Sequence, residues 1–175
     1  KRGQYFSKKA WELIGIEVPI NYDLPNDIKF IGYMDVVLYN KITQKYKIID
    51  IKTSTMGWNK YQKADKNKTD QLLLYKKFYG DEKDIPMDKI DVEYFIVKRK
   101  LYENLDFPQK RIQTFSPANG KPSVNKVTNN LNLFINESFK NGEYNLSHTY
   151  IKRPSRKNCK WCEFNQTEYC DAGVK

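Results

Sequence analysis

What most constrains this chain is a set of acidic residues placed inside apolar, strand-like runs. In Ile48-Ile49-Asp50-Ile51-Lys52-Thr53 the composition is that of a strand. Side chains alternate faces along a strand, so Asp50 and Lys52 project to one side while Ile49 and Ile51 are expected to enter the core on the other. Gly32-Tyr33-Met34-Asp35-Val36-Val37 sets a lone acid among residues that otherwise read as core, and Gly15-Ile16-Glu17-Val18-Pro19 does so again. Buried carboxylates are rare without partners or a metal. A single Asp-x-Lys is most simply a surface ion pair, but acids in three successive strands point to a site. Hairpin pairing of the second and third runs brings Asp35 towards Asp50. Two carboxylates at close range repel unless a cation lies between them, and hard oxygen ligands with open positions favour Mg²⁺ or Mn²⁺. The Ile51 main-chain carbonyl is a third candidate ligand. Lys52 is placed to orient or help deprotonate an attacking water, or to stabilise charge in the transition state.

The surrounding pattern sets the fold class. Apolar Phe6, Ala10, Leu13 and Ile14 at helical spacing predict a helix over 6–14, stopped by Gly15. Runs 16–24, 29–39 and 45–53, separated by Pro25-Asn26-Asp27 and by residues 41–44, predict an antiparallel meander. Residues 54–68 are polar, lysine-rich and weakly periodic, and read as a mobile loop leading into a helix over 69–79 closed by Gly80. Leu72, Leu73 and Leu74 of that helix read as plain core. Residues 91–100 alternate as a strand, with 111–115 as its partner. A further helix over about 123–140 carries Val127, Leu131, Phe134, Ile135 and Phe139 on one stripe and is ended by Asn141-Gly142. The expectation is a single α/β (α+β) domain whose central mixed β-sheet of about five strands is flanked by helices. It divides into a core over residues 1–145 and a Cys-rich tail over 146–175 that packs on it.

The ordered set Glu17, Gly32-x-x-Asp35, Ile49-Asp50-x-Lys52-Thr53 and Gln71-x-x-x-Tyr75 resembles the RecB-like branch of the PD-(D/E)XK nuclease superfamily. The motifs span residues 17–75, and the order of elements extends the likeness over most of the chain. The resemblance implies a restriction-endonuclease-like core and a metal-dependent, exonuclease-like phosphodiesterase acting on DNA, in recombination, replication or defence. It implies Asp35, Asp50 and the Ile51 carbonyl as ligands of Mg²⁺ or Mn²⁺, Lys52 as the catalytic lysine and Glu17 as a direct or water-mediated ligand. Gln71 and Tyr75, one helical turn apart, would line the site and hold substrate or the lysine; an exposed polar helix face is the plainer reading of that pair.

The three cysteines lie within the last 17 positions, in His148-x10-Cys159-x2-Cys162-x7-Cys170. Their odd number and clustering suit a metal better than a disulfide framework. His148, the only histidine, is the candidate that would complete a Cys3His zinc site. The resemblance points instead to iron–sulfur members of the branch, similar to AddB-type and CRISPR-associated exonucleases, in which one cysteine before the nuclease core joins three at the C-terminus. No cysteine precedes Cys159 in this sequence. Zinc and iron–sulfur both stay open, and either metal would be structural, stapling the tail to the core.

Charge adds a partner class. With 31 Lys+Arg against 21 Asp+Glu the net charge is +10 and the pI near 9.3, which favours a polyanion. Only Arg2, Arg99, Arg111, Arg153 and Arg156 are arginine; the lysine excess, with plentiful Asn, Ile and Tyr, also fits coding by an AT-rich genome such as that of a phage or mobile element. Trp58 and Tyr61 among Lys60, Lys63, Lys66 and Lys68 are the mixture expected for single-stranded nucleic acid, rings stacking on bases and cations tracking phosphates. A solvated loop with incidental aromatics is the alternative. No apolar run approaches the roughly 20 residues that cross a bilayer, and no signal-like stretch opens the chain. The expectation is a soluble, cytoplasmic protein that binds DNA, takes no membrane, and works within a larger recombination, replication or phage complex. Two competing expectations are a catalytically silent nucleic-acid-binding or assembly module of the same fold, and a zinc-tail interaction protein whose acids are structural.

Overall fold

The structure, a computed structural model, describes residues 9–103, 106–149 and 151–174. Five strands form one mixed sheet in the order β1-β2-β3-β4-β5: β1 (Trp11–Leu24), β2 (Ile28–Asn40), β3 (Lys45–Ser54), β4 (Ile90–Lys98) and β5 (Ile112–Phe115). The first three make the antiparallel meander expected from the turn residues. Asn26 and Asp27 take left-handed φ values of 59° and 58°, which short polar side chains tolerate best. Asn40 closes the second turn by accepting hydrogen bonds from the Ile42 and Thr43 N–H groups at 3.0 Å. β4 lies parallel to β3, a pairing that needs a crossover, supplied by α1 (Lys60–Ala64) and α2 (Lys66–Lys83). β5 returns antiparallel to β4.

The core sits on one face of this sheet. Ile20, Met34, Val37, Ile48, Tyr94 and Ile96 meet Leu72, Leu73, Phe78 and Tyr79 of α2, with Val124 and Val127 of α3 (Lys121–Ser138) beyond them. Each such side chain contributes about 1.5–3 kcal/mol on burial, so packing rather than intrinsic propensity holds α2, half of whose first turn is lysine. Leu72 and Leu73 are fully buried as expected, and Leu74 is partly buried against the same cluster.

Several expectations are corrected. Residues 1–8 lie outside the described set, and 11–14 are not helical: Trp11, Glu12 and Leu13 pair with Asn40, Tyr39 and Leu38, and Ile14 is the extra residue of a bulge. Leu13 and Ile14 are largely exposed, so their helical spacing has no apolar partner and β-pairing wins. Residues 54–68 are not one loop. Asn59 and Gln62 form a capping box that starts α1, and Asp65 caps α2 through the Asn67 N–H, so both helices begin on short polar side chains. Gly80 does not close α2, which continues to Lys83 and ends at left-handed Asp84; a Cβ at Gly80 would lie 2.9 Å from the Ile85 carbonyl oxygen, and the glycine serves close packing. α3 ends at Ser138, and Asn141-Gly142 form the turn of a small hairpin, β6 (Phe139–Lys140) and β7 (Glu143–Tyr144). Phe134 leaves the stripe and is exposed. A short helix, α4 (Arg156–Cys159), capped by Ser155, opens the cysteine segment. No helix among the described residues is long and apolar enough to cross a membrane.

Candidate active site

The site forms where two strands part. β2 pairs with β3 only between Val36–Ile49 and Asn40–Lys45, whereas β3 runs on beside β4 to Ser54. Asp35 and Asp50 are the first residues beyond the last β2–β3 pair, and Asp35 Oδ2 spans the fork by accepting the Ile51 N–H at 2.6 Å. That bond replaces the ladder bond which strand pairing no longer supplies. Both strands on the β1–β2 side are irregular at this level. Met34 and Val37, three positions apart, are both in the core, so alternation in β2 breaks at Asp35–Val36. Glu17 falls between the Ile16–Val36 and Val18–Met34 pairs, opposite Asp35, with φ at +48°. A left-handed non-glycine residue costs about 1–2 kcal/mol, and such strain collects at functional positions. Glu17 is exposed, and no cluster of three or more His, Cys, Asp or Glu residues that could hold a metal exists among the described residues.

Asp50 is the buried member of the set, 3% exposed, with Tyr94 of β4 as its register partner. Lys52 shares its face: Nζ lies 2.8 Å from Asp50 Oδ2 and donates to Gln71 Oε1 at 3.3 Å. Gln71 Nε2 in turn donates to the Tyr75 hydroxyl at 3.0 Å. Lys52 is the charged partner of Asp50 Oδ2, a buried oxygen with no other donor among the described residues. Burial pushes the Asp50 carboxyl above the ordinary carboxylate range and the Asp35 charge adds to that, while Lys52 opposes both. A buried carboxylate beside a second carboxylate on a rigid fork fits a hard divalent cation completed by water and other oxygens. Asp50 and Asp35 would hold it, with the Ile51 carbonyl as the remaining candidate.

The core lies on the Ile48 side of β3, the face that Asp50 and Lys52 share, and not on the side expected for Ile49 and Ile51: Ile49 is buried outside the core cluster and Ile51 is 45% exposed. Gln71 is on the open side of α2 and accepts from Lys52 Nζ. Tyr75 is only 5% exposed, and its role is to hold Gln71 rather than to meet substrate. Gly32 is what admits its ring: a Cβ there would lie 2.9 Å from Tyr75 Cε1. Trp58 is likewise not a stacking platform. It is 8% exposed, lies 4.9 Å from the Tyr94 ring, and is bracketed by Gln113, which accepts from its N–H at 2.7 Å and donates to its carbonyl at 3.1 Å. Tyr61 is 72% exposed with Lys60 Nζ 5.0 Å over its ring, and Lys63 lies 5.6 Å over Phe115, so that part of the expected binding surface stays available. Tyr94 is the supporting residue the sequence reading left as a plain strand position. It is fully buried, and its hydroxyl donates to the Lys68 carbonyl at 2.5 Å, fixing the first turn of α2. A tyrosine in phase with Val92 and Ile96 was its signal, because a buried hydroxyl needs a partner.

The cysteine segment is not assembled around a metal. Cys159 is buried, Cys162 exposed and Cys170 intermediate; neither they nor His148 form a metal-holding group among the described residues. Compared with protein-family models and with curated proteins, the chain matches none.

Proposed function

We propose that the protein is a metal-dependent nuclease that hydrolyses phosphodiester bonds of DNA in an exonuclease-like manner, as the resemblance to the RecB-like branch implies. The observation that carries this reading is Asp50: a buried carboxylate that faces a second carboxylate across a strand fork and has a part-exposed lysine as its charged partner. A Mg²⁺ or Mn²⁺ ion held by Asp35 and Asp50 would supply positive charge to the phosphoryl oxygens and acidify a nearby water. Lys52, half in solvent, presents its ammonium beside that position and stabilises charge gathering on the phosphorus oxygens. Gln71 fixes the lysine by accepting its proton in a hydrogen bond, and Tyr75 fixes Gln71. Glu17, exposed opposite Asp35, would be a direct or water-mediated ligand. The tail belongs to the reading as a structural zinc or iron–sulfur site formed by Cys159, Cys162 and Cys170.

The test is cleavage of 5′- and 3′-labelled single and double strands with Mg²⁺ or Mn²⁺. Activity should require the metal and be lost in Lys52→Ala and Asp50→Ala; full activity in Asp50→Ala would overturn the reading. A second reading, a silent nucleic-acid-binding module of the same fold, draws on the exposure of Glu17, which leaves only two carboxylates at the fork. It requires salt-sensitive DNA binding with no cleavage in any divalent metal.

A further inference from the structure

Ion-paired and unpaired cations fall in different segments of this molecule. Lys41 pairs with Glu12, Lys45 with Asp91 and Lys47 with Glu93 near the N-terminal ends of β3 and β4, and Lys77 and Lys83 pair along α2. At the opposite end, segments 54–68 and 98–111 hold nine Lys and Arg against three acids, +6 of the chain's +10. None of those nine cations is ion-paired among the described residues.

The two segments form one rim. Arg99 N–H and Lys100 N–H donate to the Ser54 and Thr55 carbonyls at 2.8 Å, carrying the β3–β4 ladder beyond Lys98. Arg99 Nη2 donates to Thr55 Oγ1 at 2.9 Å, and Arg111 Nη1 to the Lys98 carbonyl at 2.9 Å. Ser54, two residues past Lys52, is about 7 Å further along the strand, so the rim begins where the Asp50–Lys52 face ends. Three exposed rings stand among the cations, Tyr61, Tyr102 and Phe107, and Tyr102 is held by a reciprocal backbone pair with the Gln109 side chain at 2.8 and 2.7 Å. Duplex DNA offers a phosphate track with its bases enclosed, whereas an unpaired strand offers phosphates and open base faces together.

We infer that this rim, Lys98–Lys100 and Arg111 with Lys60 and Lys63 and the rings of Tyr61 and Tyr102, is the docking track for an unpaired nucleic-acid strand leading to the Asp35–Asp50 fork. The inference rests on the nuclease reading for the role of the fork alone; strand binding is a separate property. It is tested by fluorescence anisotropy with a labelled single-stranded DNA of about 20 nucleotides and the matching duplex, without divalent metal, over a range of salt. Lys60→Ala/Lys100→Ala, both exposed side chains, should lower the slope of log K against log salt by about 1.4, or 0.7 per phosphate contact. Tyr61→Ala and Tyr102→Ala should each weaken single-strand binding about tenfold and leave duplex binding unchanged. Lys29→Ala/Lys41→Ala, at ion-paired positions, should change neither. An unchanged slope overturns the inference, as do equal losses for duplex and single strand or displacement of the DNA by polyglutamate at equal charge concentration. Metal-dependent cleavage with no rim effect would overturn this inference and leave the nuclease reading standing; the rim effect without cleavage would do the reverse.

Discussion

Replacing Gly32 by alanine tests whether the chain from Tyr75 to Lys52 is mechanical. The new Cβ would lie 2.9, 3.1 and 3.3 Å from Tyr75 Cε1, Oη and Cζ, against 3.4–4 Å for ordinary contact. Tyr75 has little room to retreat, being 5% exposed and edge-on to Phe30 at 6.1 Å. Overpacking of this kind costs about 1–3 kcal/mol, offset by about 0.5–1 kcal/mol that alanine gains over glycine in an extended strand. The net is a destabilisation of about 1–2 kcal/mol, or about 2–4 °C in Tm per kcal/mol for a chain of this size. A ring moved by several tenths of an ångström carries its hydroxyl away from Gln71, now at 3.0 Å, and slackens the Lys52 bond already at 3.3 Å. One lost hydrogen bond, about 1 kcal/mol, lowers kcat about five- to tenfold. Circular-dichroism melting and Mg²⁺-dependent cleavage of a labelled strand read the two effects. The decisive comparison is Tyr75→Leu, which removes the ring and its hydroxyl. In that background Gly32→Ala should be nearly neutral, a coupling well above the additivity of independent sites. Unchanged Tm and kcat in Gly32→Ala, or the same losses in both backgrounds, would refute the reasoning.

Three further outcomes are expected. Asp50→Asn should melt higher than wild type at pH 7 while losing cleavage: because burial raises the carboxyl's pKa, its stabilising contribution is present below the ordinary value of 3.8 and lost as pH rises through the folded value. The advantage of Asn should therefore shrink on acidification, and one that grows towards pH 4 would contradict the sign. Trp58→Ala should cost about 3–5 kcal/mol in urea denaturation, as loss of a large buried ring does; a loss under about 1 kcal/mol with impaired DNA binding would return Trp58 to the substrate surface. Protein purified without oxygen should carry zinc or iron, removed by Cys162→Ser and by Cys170→Ser, and metal-free wild-type protein would end the case for a metal in the tail.

The fold was legible wherever local rules and tertiary packing agreed. Asn26-Asp27 and Asn40 state the meander's turns, and the alternation of Val92, Tyr94 and Ile96 states β4. The errors fall where a local signal was read without the element that answers it. Ala10, Leu13 and Ile14 have helical spacing, yet nothing covers that stripe, and the Asn40 end of β2 offers ladder bonds instead. Residues 54–68 lack apolar periodicity, but helix starts are written in caps as well as in periodicity, and Asn59, Gln62 and Asp65 are those caps. Trp58 shows the limit most plainly. A tryptophan among lysines looks like a binding ring until Gln113, 55 residues away, is seen to hold its backbone and Tyr94 its face.

At the site, residue chemistry was legible and exposure was not. The alternation argument put Asp50 and Lys52 on one face correctly, because β3 is regular and paired on both sides as far as Ile49. It failed for Ile51, which keeps Phe95 of β4 beside it but has no β2 residue on its other side and opens to solvent. The same departure explains why Asp35 spends an oxygen on the Ile51 N–H: a fork leaves an unpaired donor, and the carboxylate nearest to it satisfies the bond. A strand fork thus creates in one step the gap that exposes Ile51, the need for an acid at position 35, and a buried acid at position 50 answered by Lys52. Two acids in strand-like runs are therefore better read as markers of where a sheet parts than as core residues requiring excuse. By that logic Asp35→Asn, whose amide oxygen can still accept from Ile51, should keep the fork's stability and lose the metal, whereas Asp35→Leu should lose both.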